Sequence, residues 1–139
     1  MMEDAALHTA LAGEQIADLL ALWCEAFNAG DMALMGSLFC VAGEMEIGET
    51  KGDAFVVAAS LAAKAGDWRA STANECVAIS GDEALVESYI FLTGDTGGGL
   101  ARHHAGRALD RFVGGRDGWR FTSRRIVIDW RLDALEHAP

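Results

Sequence analysis

Hydrophobic periodicity changes once along this chain, from helical spacing in the first half to strand alternation from about residue 69 onward. Ile16, Leu19, Leu20, Trp23 and Phe27 fall on one helical stripe, which Asn28-Ala29-Gly30 stops. Asp31 is placed to cap a short second helix carrying Leu34, Met35, Leu38 and Phe39. A brief strand at 45–47 ends at Gly48. Gly52-Asp53 then opens a third helix through Ala65, with Phe55, Val56, Ala59 and Ala63 on one side and Gly66 closing it. Residues 69–79, 85–93, 100–113 and 119–130 read as four long strands. Ser80-Gly81-Asp82, a glycine-rich flexible loop at 94–99 and a hairpin turn at 114–118 separate them. Helices first and an antiparallel meander after them make the chain α+β, with the helices on one face of the sheet. A sheet curled around its helices would enclose a hollow suited to a small molecule; periodicity does not distinguish a curled sheet from a flat one.

Length and composition fit that reading. With 139 residues, 51% of them apolar and 23% charged, the chain has the makings of one hydrophobic core. A single domain over 1–139, its core at about 12–131, is therefore expected. Proline occurs only at Pro139, so no rigid linker divides the chain. The formal charge of −10 disfavours nucleic acid and anionic membranes as partners. Residues 1–67 hold 11 acids and two lysines (net −9), and residues 68–139 hold ten acids and nine arginines (net −1). Acids interleave with the arginines of the second half, which argues against a basic face for RNA. The apolar run at 54–63 is half the roughly 20 residues that span a bilayer. Glu3 and Asp4 stand where an export signal would carry basic residues. Three cysteines, 24, 40 and 76, form no CxxC pair and suit a reducing cytoplasm.

Several motifs carry a family resemblance. Trp23-Cys-Glu-Ala-Phe-Asn28-Ala-Gly-Asp31 with Leu38-Phe39, Gly81-Asp82-Glu-Ala84-Leu-Val-Glu-Ser-Tyr89, and Gly106-Arg107-Ala-Leu-Asp110-Arg111-Phe112 resemble the SnoaL-like family of the NTF2-like superfamily. So does Asp117-Gly118-Trp119-Arg120-Phe121 with Arg124-Arg125-Ile-Val-Ile-Asp129-Trp130. The resemblance implies an α+β cone: three N-terminal helices packed in a strongly curved antiparallel sheet, a cavity between them, and a homodimer formed through the outer sheet face. Its relatives include scytalone dehydratase, hexachlorocyclohexane dehydrochlorinase, polyketide cyclases and the β subunits of ring-hydroxylating dioxygenases. Function on such a fold has to be argued from the site.

The dehydratase and dehydrochlorinase relatives use an Asp–His dyad, the histidine taking a proton from carbon. On the motif match the aspartate falls at Asn28. The histidine, four residues before the match at Asn74, falls at Ala70, and the family's cavity tyrosine falls at Ala108. Neither dyad member is present, so that chemistry is expected to be absent. By strand parity, Arg102, His104, Gly106, Ala108, Asp110 and Phe112 share the cavity face, and His103, Arg107 and Arg111 face outward. His104 is a candidate relocated base, or else a structural polar residue near the mouth. Asp110 is a candidate cavity acid, or else one half of a salt bridge to an arginine on a neighbouring strand. Six residues apart on one strand, the two are roughly 20 Å apart and form no dyad.

Trp23, Phe27, Trp68 and Phe112 line either a pocket or an ordinary core. Asn28 retains the ability to orient a substrate by hydrogen bonding. Arg124 matches a cavity-lining position of the dehydrochlorinases; on its strand it shares a parity with Ile126, Ile128 and Trp130 and reads equally as surface. Asp129-Trp130 is read as structural. Glu44, Glu46 and Glu49 read as a solvated strand edge, since Ile47 takes the place of the isomerases' general base. No metal site is expected: His103 and His104 point to opposite faces, and His8 and His137 lie in ends expected to fray.

The sequence thus leads to a cofactor-free protein with a small hydrophobic, aromatic or polycyclic molecule in its cone. Proton transfer (dehydration, isomerisation or cyclisation) would use His104 or Asp110. The alternative is a non-catalytic binding or assembly subunit, such as a dioxygenase β subunit.

Overall fold

The computed structural model describes residues 2–62, 68–95 and 100–135. Elements run α1 (Met2–Ala29), α2 (Met32–Ser37), β1 (Phe39–Ile47), β2 (Thr50–Asp53), α3 (Ala54–Ala62), β3 (Arg69–Ser80), β4 (Glu83–Asp95), β5 (Leu100–Gly115) and β6 (Gly118–Leu135). The expected end of the third helix at Ala65 and Gly66, the rest of the glycine-rich loop, and His137 lie outside the described residues.

The helix signals act as the sequence suggests. Asp31 Oδ1 accepts the Leu34 amide at 3.0 Å and caps α2. Asp53 Oδ1 accepts the Phe55 amide at 3.0 Å and starts α3. Helix α1 begins well before the apolar stripe, and His8 sits within it rather than in a frayed end, its Nε2 3.1 Å from the Gly81 carbonyl. Leu38 ends α2, and Phe39 belongs to β1, stacked on Phe121 with ring centroids 4.9 Å apart. Helix α3 buries Ala54, Val57 and Ala58 and leaves Phe55 and Val56 in solvent, so the face formed by those two points away from the core.

One six-stranded curved sheet has the order β2-β1-β6-β5-β4-β3. Its four long strands form the expected antiparallel meander, but β1 joins β6 in parallel and lies inside the sheet, with the unforeseen β2 at the edge. Four register shifts interrupt the ladders, and such bulges bend a sheet and locally reverse which side chains face inward. On β1 the ladder to β6 shifts between Phe39 and Glu44, where Ala42 adopts a φ of +63°. On β3 the ladder shifts between Ala73 and Cys76, where Asn74 adopts a φ of +54°. On β6 it shifts opposite Arg111 and Phe112 and again opposite Ala105 and Gly106. The second of these requires Gly106: a Cβ there would lie 1.8 Å from the Val127 carbonyl oxygen.

The core lies between the inner sheet face and the helices. Ile16, Leu20, Trp23, Met35, Ile90, Phe112, Phe121 and Ile126 form its centre. Helix α1 packs on β3 and β6, so the inner face is roofed by the stripe that includes Trp23 and Phe27.

Candidate functional site

Inner-face residues form rows across the strands. One row is Val86–Asp110–Arg124, followed along the strands by Ser88–Ala108–Ile126 and Ile90–Gly106–Ile128. The next row along the strands is Ala70–Leu92–His104. Gly106, Ala108, Asp110 and Phe112 are all buried, in agreement with the parity read from the sequence, whereas His104 of the same set is partly buried and Arg102, near the start of β5, is exposed.

Arg124 is inside. It is 1% exposed, its guanidinium carbon lies 4.4 Å from the centroid of the Trp23 ring, and it lies 5.4 Å from that of Phe121. The bulge after Phe121 is what allows Phe121 and Arg124, three residues apart, to face the same way. The second bulge turns Trp130 out, opposite outward-facing Ala105, so it does not share the face of Arg124, and Trp130 is half-exposed. Asp129 lies on the outside and is gripped by Arg107 through Nε at 2.9 Å and Nη2 at 3.2 Å, a structural role. That grip holds the Asp129 carboxyl below its ordinary range.

Asp110 faces Arg124, with Oδ1 3.5 Å from Nε and both side chains fully buried. Proximity makes this an ion pair, but no hydrogen bond forms across it. Asp110 Oδ1 and Oδ2, Arg124 Nε, Nη1 and Nη2, Trp23 Nε1 and Ser88 Oγ are all buried without a hydrogen-bond partner. Burial outweighs the Arg124 charge and pushes the Asp110 carboxyl up to about 6, with Glu75 adding to the rise. Burial likewise raises the Cys24 thiol, against the pull of Arg124 and the neighbouring Thr72 side chain.

Ser88 was not among the residues singled out from the sequence. Its signal was there: Ala84, Val86, Ser88, Ile90 and Leu92 alternate onto one face, and Ser88 is the polar member.

Asn28 and Ala70 stand together, as the motif match requires, but in a structural bond. Asn28 Nδ2 donates to the Ala70 carbonyl at 3.1 Å, and Asn28 Oδ1 accepts the Ala70 amide at 2.6 Å. Asn28 therefore occupies both the N–H and the carbonyl of Ala70 on the edge strand β3, and its amide is engaged with the chain itself. A groove of about 570 Å³ runs beside it between α1 and β3, with Cys24, Asn28, Ala70 and Thr72 along it. Trp68 leans on His104 with ring centroids 4.9 Å apart and covers Gly94, where a Cβ would lie 2.6 Å from the indole. Phe27 stacks on Trp23 at 5.5 Å, and Phe112 packs against Phe121 at 4.4 Å.

The structure thus gathers Trp23, Phe27, Phe112, Asp110 and Arg124 in the centre, with Trp68 against His104 three rows along the sheet from Asp110. Glu46 lies outside, paired with Arg125 at 2.6 Å. Among the described residues no group of His, Cys, Asp or Glu has metal-ligand geometry.

A family model described as a SnoaL-like domain matches residues 8–125. No curated protein matches the chain. Similar solved structures include a hexachlorocyclohexane dehydrochlorinase from Novosphingobium barchaimii, with 13% identity, 96% of this chain and 99% of that chain covered and a TM-score of 0.84. A putative scytalone dehydratase from Novosphingobium aromaticivorans is 15% identical, with 100% and 94% covered and a TM-score of 0.75. An NTF2-like protein from the same species is 20% identical, with 91% and 87% covered and a TM-score of 0.76. At these identities the likeness concerns the fold.

Proposed function

The chain belongs to the SnoaL-like family, and on that premise we propose that its cone interior binds a small apolar molecule and moves a proton on it without a cofactor. The observation that carries this reading is the buried cluster of Asp110, Arg124, Trp23 and Ser88. Its polar atoms lack partners inside an otherwise apolar core. A buried polar group without a partner costs roughly 1–3 kcal/mol, and several of them together suit a place that a ligand completes. A carboxyl that titrates near neutral pH suits an acid or base in proton transfer. Arg124 then polarises a carbonyl or enolate oxygen of the substrate, as an electrostatic stabiliser.

His104 is the second proton-transfer group. It lies in the same cross-strand row as Ala70, two strands away from the position where relatives keep their histidine. The aromatic lining of Trp23, Phe27, Trp68 and Phe112 favours an aromatic or polycyclic ligand. A second reading, a non-catalytic binding or assembly subunit, draws on Asn28, which clamps Ala70 where the dyad would stand. The outer sheet face carries Leu85, Tyr89, Phe91, Trp130 and Leu132, each 44–52% exposed. We read it as the contact with a second copy of the chain. None of the described helices is long and apolar enough to cross a membrane.

The test is thermal unfolding against a panel of aromatic and polycyclic carbonyl compounds, because a ligand of the native state raises its apparent stability. Compounds that raise Tm are then assayed for turnover with wild type, His104→Ala and Asp110→Asn. Lost turnover with binding retained supports catalysis. Binding without turnover in wild type supports a non-catalytic binding protein, and a panel without any Tm shift refutes small-molecule binding and leaves the assembly subunit.

A further inference from the structure

Seven donor hydrogens stand in two adjacent inner-face rows and their helical roof: five on the Arg124 guanidinium, one on the Trp23 indole and one on the Ser88 hydroxyl. One carboxylate, Asp110, faces them, and it satisfies none of them by a hydrogen bond. The same protein makes a proper arginine–carboxylate fork elsewhere. Arg107 and Asp129, both partly in solvent, close two hydrogen bonds at 2.9 and 3.2 Å. A purely structural pair would be better made in the interior than at the surface, because an unmade bond costs more there. Here the order is reversed, and the interior holds an excess of donors with a loosely held anion.

Resting on the proton-transfer reading above, we propose that this cluster is the anion-recognition point of the site. The ligand is an apolar organic acid bound as its carboxylate to Arg124, Trp23 Nε1 and Ser88, and Asp110 takes up one proton as it is displaced. Charge is conserved. Arg124 is balanced by Asp110 before binding and by the ligand carboxylate after it, and the proton comes from solvent.

The groups around Asp110 permit this exchange. Arg124 on β6 and Glu75 on β3 are the charges that act on it, Cys24 on α1 lies within reach of the same charges, and β4 contributes the uncharged Ser88. With Arg124 occupied by another anion, Asp110 loses the charge that favours its ionised form, while burial and Glu75 continue to favour the neutral acid. Cys24 and Thr72 form the part of this covering that borders the open α1–β3 groove.

Benzoate and benzamide have the same shape and differ in charge, and they are the probes. Binding of each to the full chain is measured by isothermal titration at pH 5.5, 6.5 and 7.5, at constant ionic strength and in buffers of different ionisation enthalpy. Benzoate is expected to bind at least tenfold tighter than benzamide at pH 5.5, where Asp110 is already largely protonated and proton uptake is small. Uptake rises toward one proton at pH 7.5, and affinity falls up to about tenfold per pH unit above 6. Asp110→Asn, which is isosteric, is expected to bind benzoate with no proton uptake and little pH dependence. Arg124→Met is expected to lose the preference for benzoate. Benzamide binding as tightly as benzoate would overturn the proposal and leave the small-molecule reading standing. So would benzoate binding to wild type at pH 7.5 without proton uptake, or an undiminished preference in folded Arg124→Met. Failure of both probes with wild type and Asp110→Asn would also overturn it. The small-molecule reading then falls only if the uncharged panel fails as well.

Discussion

Asn28→Ala removes both hydrogen bonds that hold the edge strand β3 to the end of α1. Each bond contributes about 1 kcal/mol net, and the groups left behind set the rest of the cost. Ala70 is 5% exposed, so its amide and carbonyl are poorly placed to recruit water in exchange. The nearby groove lets in enough solvent to spare the full desolvation penalty. The expected loss is about 2–3 kcal/mol, which for a chain of this length lowers Tm by roughly 6–12 °C. Asn28→Asp separates the two bonds. The carboxylate still accepts the Ala70 amide but confronts the Ala70 carbonyl, which Nδ2 now meets at 3.1 Å. That variant should lose about 1–2 kcal/mol at pH 7 and recover part of it in acid, where a protonated carboxyl can donate to the carbonyl. Urea unfolding gives the stabilities, and hydrogen exchange at the Ala70 amide reports the clamp directly. If Asn28→Ala stays within about 0.5 kcal/mol of wild type and the Ala70 amide remains equally protected, the clamp does not stabilise the strand and the reasoning fails.

Asp110→Asn tests the buried charge by linkage. The folded carboxyl titrates at about 6 and an unfolded one near 3.9, so the folded state binds more protons between these values and the group's contribution to stability falls as pH rises through them. Wild type should lose on the order of 2–3 kcal/mol relative to Asp110→Asn between pH 4 and pH 6.5; parallel stability curves for the two proteins would refute the assignment. Gly106→Ala puts a methyl group into the Val127 carbonyl and should cost about 3 kcal/mol or more, or prevent folding. A variant with wild-type Tm would show that the bulge relaxes freely.

The α+β class, the meander of four long strands and the helix caps at Asp31 and Asp53 are local matters. Periodicity, turn residues and capping side chains act over a few neighbours, so they are legible in the chain itself. The motif resemblance extended that reading to the cone and set Asn28 beside Ala70, which the structure joins by two hydrogen bonds. It also extended to the inward parity of β5, which holds from Gly106 through Phe112. Asp110's salt-bridge reading, to an arginine on a neighbouring strand, describes the pair with Arg124 that the structure contains.

What the sequence could not settle depends on register between strands far apart in the chain. Alternation alone places Phe121 and Arg124 on opposite faces and Trp130 with Arg124; the two bulges of β6 reverse both relations. Asn28 shows the same limit from another side. Its polar amide reads as a free hydrogen-bonding group until folding brings Ala70, 42 residues away, against it. A side chain's own chemistry is written in the sequence. Whether that chemistry is exposed, paired or left unsatisfied is decided by which distant strand lies beside it, and by the one-residue slips that turn it inward or out.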